Sequence, residues 1–258
     1  MTILDTIAAY AKIRVENDRA ALPLETLKEL IQGKGAGYKF FENLKKPGIS
    51  FICEIKKASP SKGIISEDFP YQEIAREYEA AGAEAISCLT EPKWFLGSDE
   101  IFKEVRGLVQ TPMLRKDFTV DPYQVYQARL MGANAVLLIT SLMDTQTLYN
   151  YLALCDDLGL AALVETHDDK EIEQALSAGA QIIGVNNRNL KDFSVDINNS
   201  RRLRELVGTK AIFVAESGIK GPEDIAQLKN EGVDAVLIGE TLMRAKDKAE
   251  MLNLMRNA

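Results

Sequence analysis

The sequence predicts an α/β protein: a closed (β/α)8 barrel of the TIM type with an N-terminal helical extension. Three observations carry the prediction. Eight short apolar segments follow one another at intervals of about one strand plus one crossover helix. The stretches between them are amphipathic, with readable starts and stops. The chain has 258 residues, close to the roughly 250 of such a barrel. One domain is therefore expected over 1–258, with residues 1–45 as the extension and 46–258 as the barrel.

The extension comes first. Ile3, Leu4, Ile7, Ala8 and Ala11 recur at helical spacing, and a second helical segment runs from 24 to 31. After "KKPGIS" the pattern changes to strands, at 50–55, 85–90, 112–118, 135–139, 161–165, 182–186, 211–216 and 235–239. They are continuously apolar, as strands of a parallel sheet covered by helices should be. Among the helices, "DFPYQEIAREYEAAG" offers Asp68 as cap, Pro70 in the first turn and Gly82 at the stop. "DPYQVYQARLMG" repeats the scheme with Asp121, Pro122 and Gly132, and two further helices start near Asp144 and Pro222. An open doubly wound sheet fits less well, because no G-x-G-x-x-G turn follows the first strand and the repeat continues past six units.

Composition excludes several classes. The net charge of −7 carries no long run of one sign, which argues against nucleic acid and membrane as partners. Cys53, Cys88 and Cys155 make an odd set without C-x-x-C spacing, read as reduced thiols. The first 20 residues lack both a signal-type apolar stretch and a spanning segment, so a cytoplasmic location is expected. The candidate carboxylates come singly, each near a cation, and no H-x-x-x-H or cysteine cluster exists. Neither metal nor cofactor is therefore expected.

Polar residues interrupt the strands at one end only. In this architecture, chemistry collects at the C-terminal strand ends. Glu54 and Lys56 lie two apart and so share a face at the end of the first strand. The third strand ends in Lys116, the fifth in Glu165, the sixth in Asn186 and Arg188, and the seventh in Glu216 and Ser217, followed by Gly218. The eighth ends in Gly239, beside Glu240. Three carboxylates and three cations converging on one rim are costly to bury unless paired and used, which marks a site. Ser217, Gly218 and Gly239 precede helical sequence in the loops that commonly hold a phosphate. The carboxylate of Glu240 must then turn away from the anion. The one histidine, His167, is read as a loop or helix-start residue, since no nucleophile is placed to partner it.

Seven stretches, "CEIKKASPSKG", "TEPKWFLGS", "LRKDF", "LVETHD", "GVNNRNL", "AESGI" and "LIGETLM", resemble the indole-3-glycerol phosphate synthase family in the family's order, from residue 53 to 243. The resemblance implies a lyase of tryptophan biosynthesis. Its substrate, 1-(2-carboxyphenylamino)-1-deoxyribulose 5-phosphate, loses CO2 and water as it closes to indole-3-glycerol phosphate. By the same resemblance Lys116 is the general acid, and Glu165 the base or acid/base partner of the dehydration. Glu54 orients substrate and Lys56, while Lys56 and Arg188 hold the substrate carboxylate. Ser59 and Asn186 add hydrogen bonds, and Phe95 and Phe118 flank the aromatic ring. Glu216 lines the glycerol phosphate end with Ser217, Gly218, Gly239 and the Glu240 backbone.

Burial and the second cation Lys56 are expected to lower the Lys116 pKa. The "SPSKG" stretch is expected to be a mobile loop closing over the site. Two rival readings are another phosphate-binding barrel isomerase, which would carry an aspartate or cysteine pair in place of Lys116 and Glu165, and a barrel kept only as a binding protein. The expected partner is a phosphorylated small molecule, and the expected state a monomer with at most weak association with other tryptophan-pathway enzymes.

Overall fold

A computed structural model of the chain describes residues 2–33, 35–189 and 192–258; Leu190, at the end of the quoted "GVNNRNL", lies outside them. Eight parallel strands close into a barrel: β1 (Ser50–Ile55), β2 (Ala85–Leu89), β3 (Met113–Lys116), β4 (Ala135–Ile139), β5 (Ala161–Thr166), β6 (Ile182–Asn186), β7 (Ile212–Glu216) and β8 (Ala235–Ile238). Each pairs with its sequence neighbours, and β1 closes the ring by pairing with both β2 and β8.

The period of two along each strand separates two apolar populations. Phe51, Cys53 and Ile55 face outward into the layer shared with the helices, together with Ile86, Cys88, Val136 and Leu138. Ile52, Ala85, Leu114, Leu137, Leu163, Val214 and Leu237 belong to a second cluster that fills the barrel. Continuing the inward series by two residues leads to Glu54, Lys116, Glu165 and Glu216, so the polar layer sits directly on the apolar one.

Three helices precede β1: α1 (Ile3–Ala21), α2 (Leu24–Leu30) and α3 (Gly37–Leu44). The Thr2–Asp5 capping box starts α1, which buries Leu4, Ile7, Ala8, Ala11 and Val15 as its spacing predicts. α3 was not separately legible in the sequence. It plugs the N-terminal end of the barrel: Phe40 and Leu44 join the interior cluster, each burial contributing roughly 1.5–3 kcal/mol. Asn43 Nδ2 donates to Glu84 O at 2.8 Å just before β2. Gly37 N donates to Gly159 O, and the backbone of Ala161 and Leu160 fills the space a Cβ on Gly37 would need.

The covering helices are α4 (Tyr71–Ala80), α5 (Asp99–Leu108), α6 (Pro122–Leu130), α7 (Thr145–Leu158), α8 (Asp169–Ser177), α9 (Asn198–Val207) and α10 (Pro222–Asn230), followed by α11 (Glu240–Arg244) and α12 (Lys248–Arg256). Asp121 and Asp144 cap α6 and α7 as expected, and Pro122 opens α6. Asp68 does not cap α4. That place is taken by Pro70, without a side-chain hydrogen bond, and Asp68 instead accepts from the Ser66 hydroxyl through its carbonyl. The third strand stops at Lys116 rather than continuing to 118, because the Asp117 carboxylate is engaged by Arg14, Thr90 and its neighbour's amide.

Candidate active site

All fourteen residues singled out in the sequence line one cavity of about 880 Å³ at the C-terminal mouth of the barrel. Its floor is charged. Glu54 is buried, 3 % exposed, and its Oε1 accepts from Lys56 Nζ at 2.6 Å while Oε2 lies 3.2 Å from the Ser87 hydroxyl. Burial raises the Glu54 pKa, but Lys56, Lys116 and these hydrogen bonds outweigh it and hold the carboxyl below its ordinary range. Gly239 lacks a side chain where this pair sits: a Cβ there would lie 2.5 Å from Glu54 Oε1 and 2.8 Å from Lys56 Nζ.

Across the floor, Lys116 Nζ lies 2.8 Å from Glu216 Oε2 and 3.5 Å from Glu165 Oε2. The expected lowering of the Lys116 pKa is not found. Burial does pull it down, but Glu216, Glu165 and Glu54 together outweigh burial and hold the ammonium well above its ordinary range. Lys56, the cation expected to depress it, is occupied by Glu54.

The two carboxylates that share Lys116 diverge. Burial pushes Glu165 up, yet Lys116, His167 and Asn186 bring it down to about 2. Asn186 Nδ2 donates to Glu165 Oε1 at 3.1 Å. For Glu216, burial and the like charges of Glu165 and Glu54 prevail over Lys116 and raise it to about 7. Glu216 Oε1 is buried and has no hydrogen-bond partner among the described residues; it stands where a Cβ on Gly184 would come within 2.1 Å. One acid is thus held ionised and the other is ready to carry a proton.

The walls are apolar. Phe95 and Phe118 face each other with ring centroids 5.9 Å apart, and Ile3, Leu4 and Ile7 of α1 complete this side. Phe95 is placed by Glu91, a fully buried carboxylate of the "TEPKWFLGS" stretch whose role is not evident in the sequence. It accepts the backbone N–H groups of Lys93, Trp94 and Phe95 at 2.7–3.0 Å. A carboxylate followed by an aromatic turn after a strand was the only available signal.

Arg188 stands on the rim, where its Nη1 donates to Phe193 O at 3.3 Å and its backbone N–H to Asn186 Oδ1. Ser59 belongs to a short hairpin in which Ala58–Ser59 pairs with Gly63–Ile64, the form taken by the stretch expected as a loop. Lys62 in its turn reaches Glu240 Oε1 at 3.6 Å, and Arg244 Nε reaches the same oxygen at 3.1 Å. Two cations thus engage the Glu240 carboxylate, leaving its backbone to line the cavity.

Just past β7, Ser217 and Gly218 both have positive φ, +67° and +86°. Such a conformation is unfavourable for serine and needs support. Asn187 provides it, donating from Nδ2 to Ser217 O at 3.2 Å while its Oδ1 accepts from Ser200 N and Oγ.

His167 is a loop residue just before the Asp168 cap of α8, as expected. The structure adds contacts with Glu165 and Glu171 that sequence order did not reveal.

Residues 4–255 match the family described as indole-3-glycerol phosphate synthase. A relative from Ruminiclostridium cellulolyticum named indole-3-glycerol phosphate synthase is 54 % identical over 258 residues, covering 99 % of both chains. One of the same name from Lachnoclostridium phytofermentans is 50 % identical, again over 99 % of each. Solved structures include thiamine phosphate pyrophosphorylase from Pyrococcus furiosus (TM-score 0.62, 19 % identity, 84 % of this chain and 96 % of that one). KGPDC from Streptococcus mutans aligns with TM-score 0.64 at 13 % identity, over 81 % and 96 %. These two likenesses concern the fold alone.

Proposed function

The chain belongs to the indole-3-glycerol phosphate synthase family, carboxy-lyases of tryptophan biosynthesis, and from that premise we propose how its cavity performs the ring closure. The carrying observation is Lys116 Nζ held between Glu216 and Glu165 in the cavity that Phe95 and Phe118 also line.

The substrate, 1-(2-carboxyphenylamino)-1-deoxyribulose 5-phosphate, lies with its aromatic ring against Phe95 and Phe118. Its carboxylate meets Arg188 and Lys56, with Ser59 and Asn186 adding hydrogen bonds. Its phosphate meets the backbone of Ser217, Gly218, Gly239 and Glu240. This orientation puts the ketone over Lys116. The ring carbon attacks the ketone carbon, a C–C bond forms, and Lys116 gives its proton to the ketone oxygen. The C–CO2 bond then breaks and returns its electron pair to the ring. In the dehydration Lys56, freed by the loss of CO2, gives a proton to the new hydroxyl, which leaves as water. Glu165, held ionised, takes the proton from the neighbouring carbon and passes it back to Lys116; Lys56 regains its proton from solvent.

The raised Lys116 pKa guarantees that the proton is present at neutral pH. It also means that the lysine becomes a better acid only when a carboxylate partner is drawn away. Glu216 does this in place: its unpartnered Oε1 accepts from the substrate hydroxyls, which draws its charge away from Lys116. Glu54 keeps Lys56 aimed into the cavity.

The same reading gives a single barrel domain with a helical extension, working as a cytoplasmic monomer. In support, large exposed apolar side chains such as Ile13, Tyr149 and Leu254 lie on three different helices. No described helix is long and apolar enough to cross a membrane. A single sedimenting species at twice the chain mass would refute the monomer.

The test is indole fluorescence with purified protein, the carboxyphenylamino-deoxyribulose phosphate and EDTA. The expected result is a rising signal that Lys116→Met abolishes while the circular dichroism spectrum is retained. Full activity of Lys116→Met would remove the acid assignment.

A further inference from the structure

His167, the one histidine of the chain, takes no part in the ring closure described above, yet it stands between two carboxylates. Its Nδ1 lies 2.9 Å from Glu171 Oε2, and its backbone N–H donates to the same oxygen at 2.7 Å. α8 thus pins the residue twice. On the other edge of the ring, Nε2 lies 3.4 Å from Glu165 Oε1 and has no hydrogen bond of good geometry among the described residues. The Thr140 hydroxyl, 2.9 Å from Glu165 O and 3.0 Å from Glu171 Oε2, ties the two acids together at the end of β4.

A neutral imidazole has one N–H. If Nδ1–H serves Glu171, the bare Nε2 lone pair would face the Glu165 carboxylate, two acceptors in contact within a buried space. With both nitrogens protonated, each carboxylate meets a donor.

The charged groups around the ring agree with that state. Glu165 comes from β5, and Glu171, Asp168 and Asp169 come from the start of α8. Arg202 of α9 is committed to Asp169, and Lys116 lies beyond Glu165 on the far side of that carboxylate. Asn199 of α9 contributes a neutral donor to His167 O. Burial disfavours the charged ring, but the close approach of Glu165, the hydrogen bond to Glu171 and the charges of both outweigh it and raise its pKa to about 10.

We propose that His167 is the positioning residue of Glu165: an imidazolium wedged between Glu165 and Glu171 that fixes the Glu165 carboxylate toward Lys116 and keeps it ionised as a base. This rests on the assignment of Glu165 to the dehydration. Asn186 and His167 approach Glu165 Oε1 together, and Lys116 approaches Oε2, so the carboxylate is held from both oxygens. Removing the wedge removes a positive neighbour. The Glu165 pKa then rises, and the fraction ionised falls at low pH.

Because the chain has one histidine, the ring is directly observable. In untagged, full-length protein labelled with 15N-histidine, both ring nitrogens are expected to remain protonated through pH 8. In Glu165→Gln the titration should move down toward the ordinary value. A ring that titrates near the ordinary value in the unsubstituted protein, or one indifferent to Glu165→Gln, would overturn the wedge.

Kinetics supply the second arm. The rate of His167→Gln relative to the unsubstituted enzyme should fall by about twofold as pH is lowered from about 8 to about 4.5, in the direction of a Glu165 pKa raised toward the ordinary carboxylate value. A constant ratio across that range would mark His167 as merely structural and overturn its role. Full activity of Glu165→Gln would instead overturn the base assignment, and with it the catalytic use of the wedge, whatever the ring spectrum gives.

Discussion

Glycine 184 is where a single missing methyl matters most. An added Cβ would come within 2.1 Å of Glu216 Oε1 and 3.2 Å of a Leu163 methyl, in the middle of the barrel where neither can retreat. Gly184→Ala should therefore displace Glu216 from Lys116 and lower kcat by about tenfold or more, while far-ultraviolet circular dichroism stays native. An unchanged kcat would show that Glu216 needs no fixed place.

Glu216 also gives a signed pH effect. Its folded pKa of about 7 lies above the ordinary 4.5, so its contribution to stability is fully present below 4.5 and is lost as pH rises through 7. Glu216→Gln does not titrate, so its Tm relative to the unsubstituted protein should become more favourable between pH 5 and pH 8. A difference that stays flat, measured by thermal melts, would contradict the raised value. Glu165 has the opposite sign, contributing above 4.5 and losing that contribution toward about 2.

Among the elements, α6 shows how a local signal also does tertiary work. Asp121 caps the helix through Tyr123 N at 2.8 Å in a box with Gln124, and its Oδ1 also receives Arg19 of α1 at 2.6 Å. Asp121→Ala removes the cap, worth about 1 kcal/mol, and should lower Tm by roughly 2–4 °C without altering kcat. No change in Tm would mean that the chain recaps itself. The exposed Arg19 pair adds little. α4 is the instructive contrast. Its sequence offered Asp68 in the cap position, but Pro70 restricts the residue before it and starts the helix itself, so a cap-like residue two places upstream went elsewhere. α3 escaped separate notice because its buried face, Gly37, Phe40 and Leu44, becomes apolar contact only once there is a barrel end to close.

Across the whole molecule, the extension and the barrel mouth are joined by one buried ion pair. Arg14 of α1 grips Asp117 with two hydrogen bonds, 2.6 and 3.2 Å, and Asp117 also takes Thr90 Oγ1 and lies 3.7 Å from Arg115. Asp117 follows Lys116 directly, so α1 steadies the segment that carries Lys116. Arg14→Ala leaves a 2 % exposed carboxylate with fewer donors and should cost on the order of 1.5–3 kcal/mol. It should also raise KM through the loosened Ile3, Leu4 and Ile7 wall. A normal Tm and KM would show that the extension docks without this pair.

The eight strands, their order and the identity of the charged rim were legible in the sequence because strand period and capping are local, short-range physics. The resemblance carried in "EIKKASPSKG", "RKDF" and "NNRNL" supplied the chemistry. The balance of charge was not legible. Whether Lys116 is lowered or raised depends on Glu216, 100 residues away, and whether His167 is a bland loop residue depends on which carboxylates close around it. Burial, distance and competing charge act through space, so the sequence determined which groups reach the rim, and only the folded barrel decided which of them hold protons.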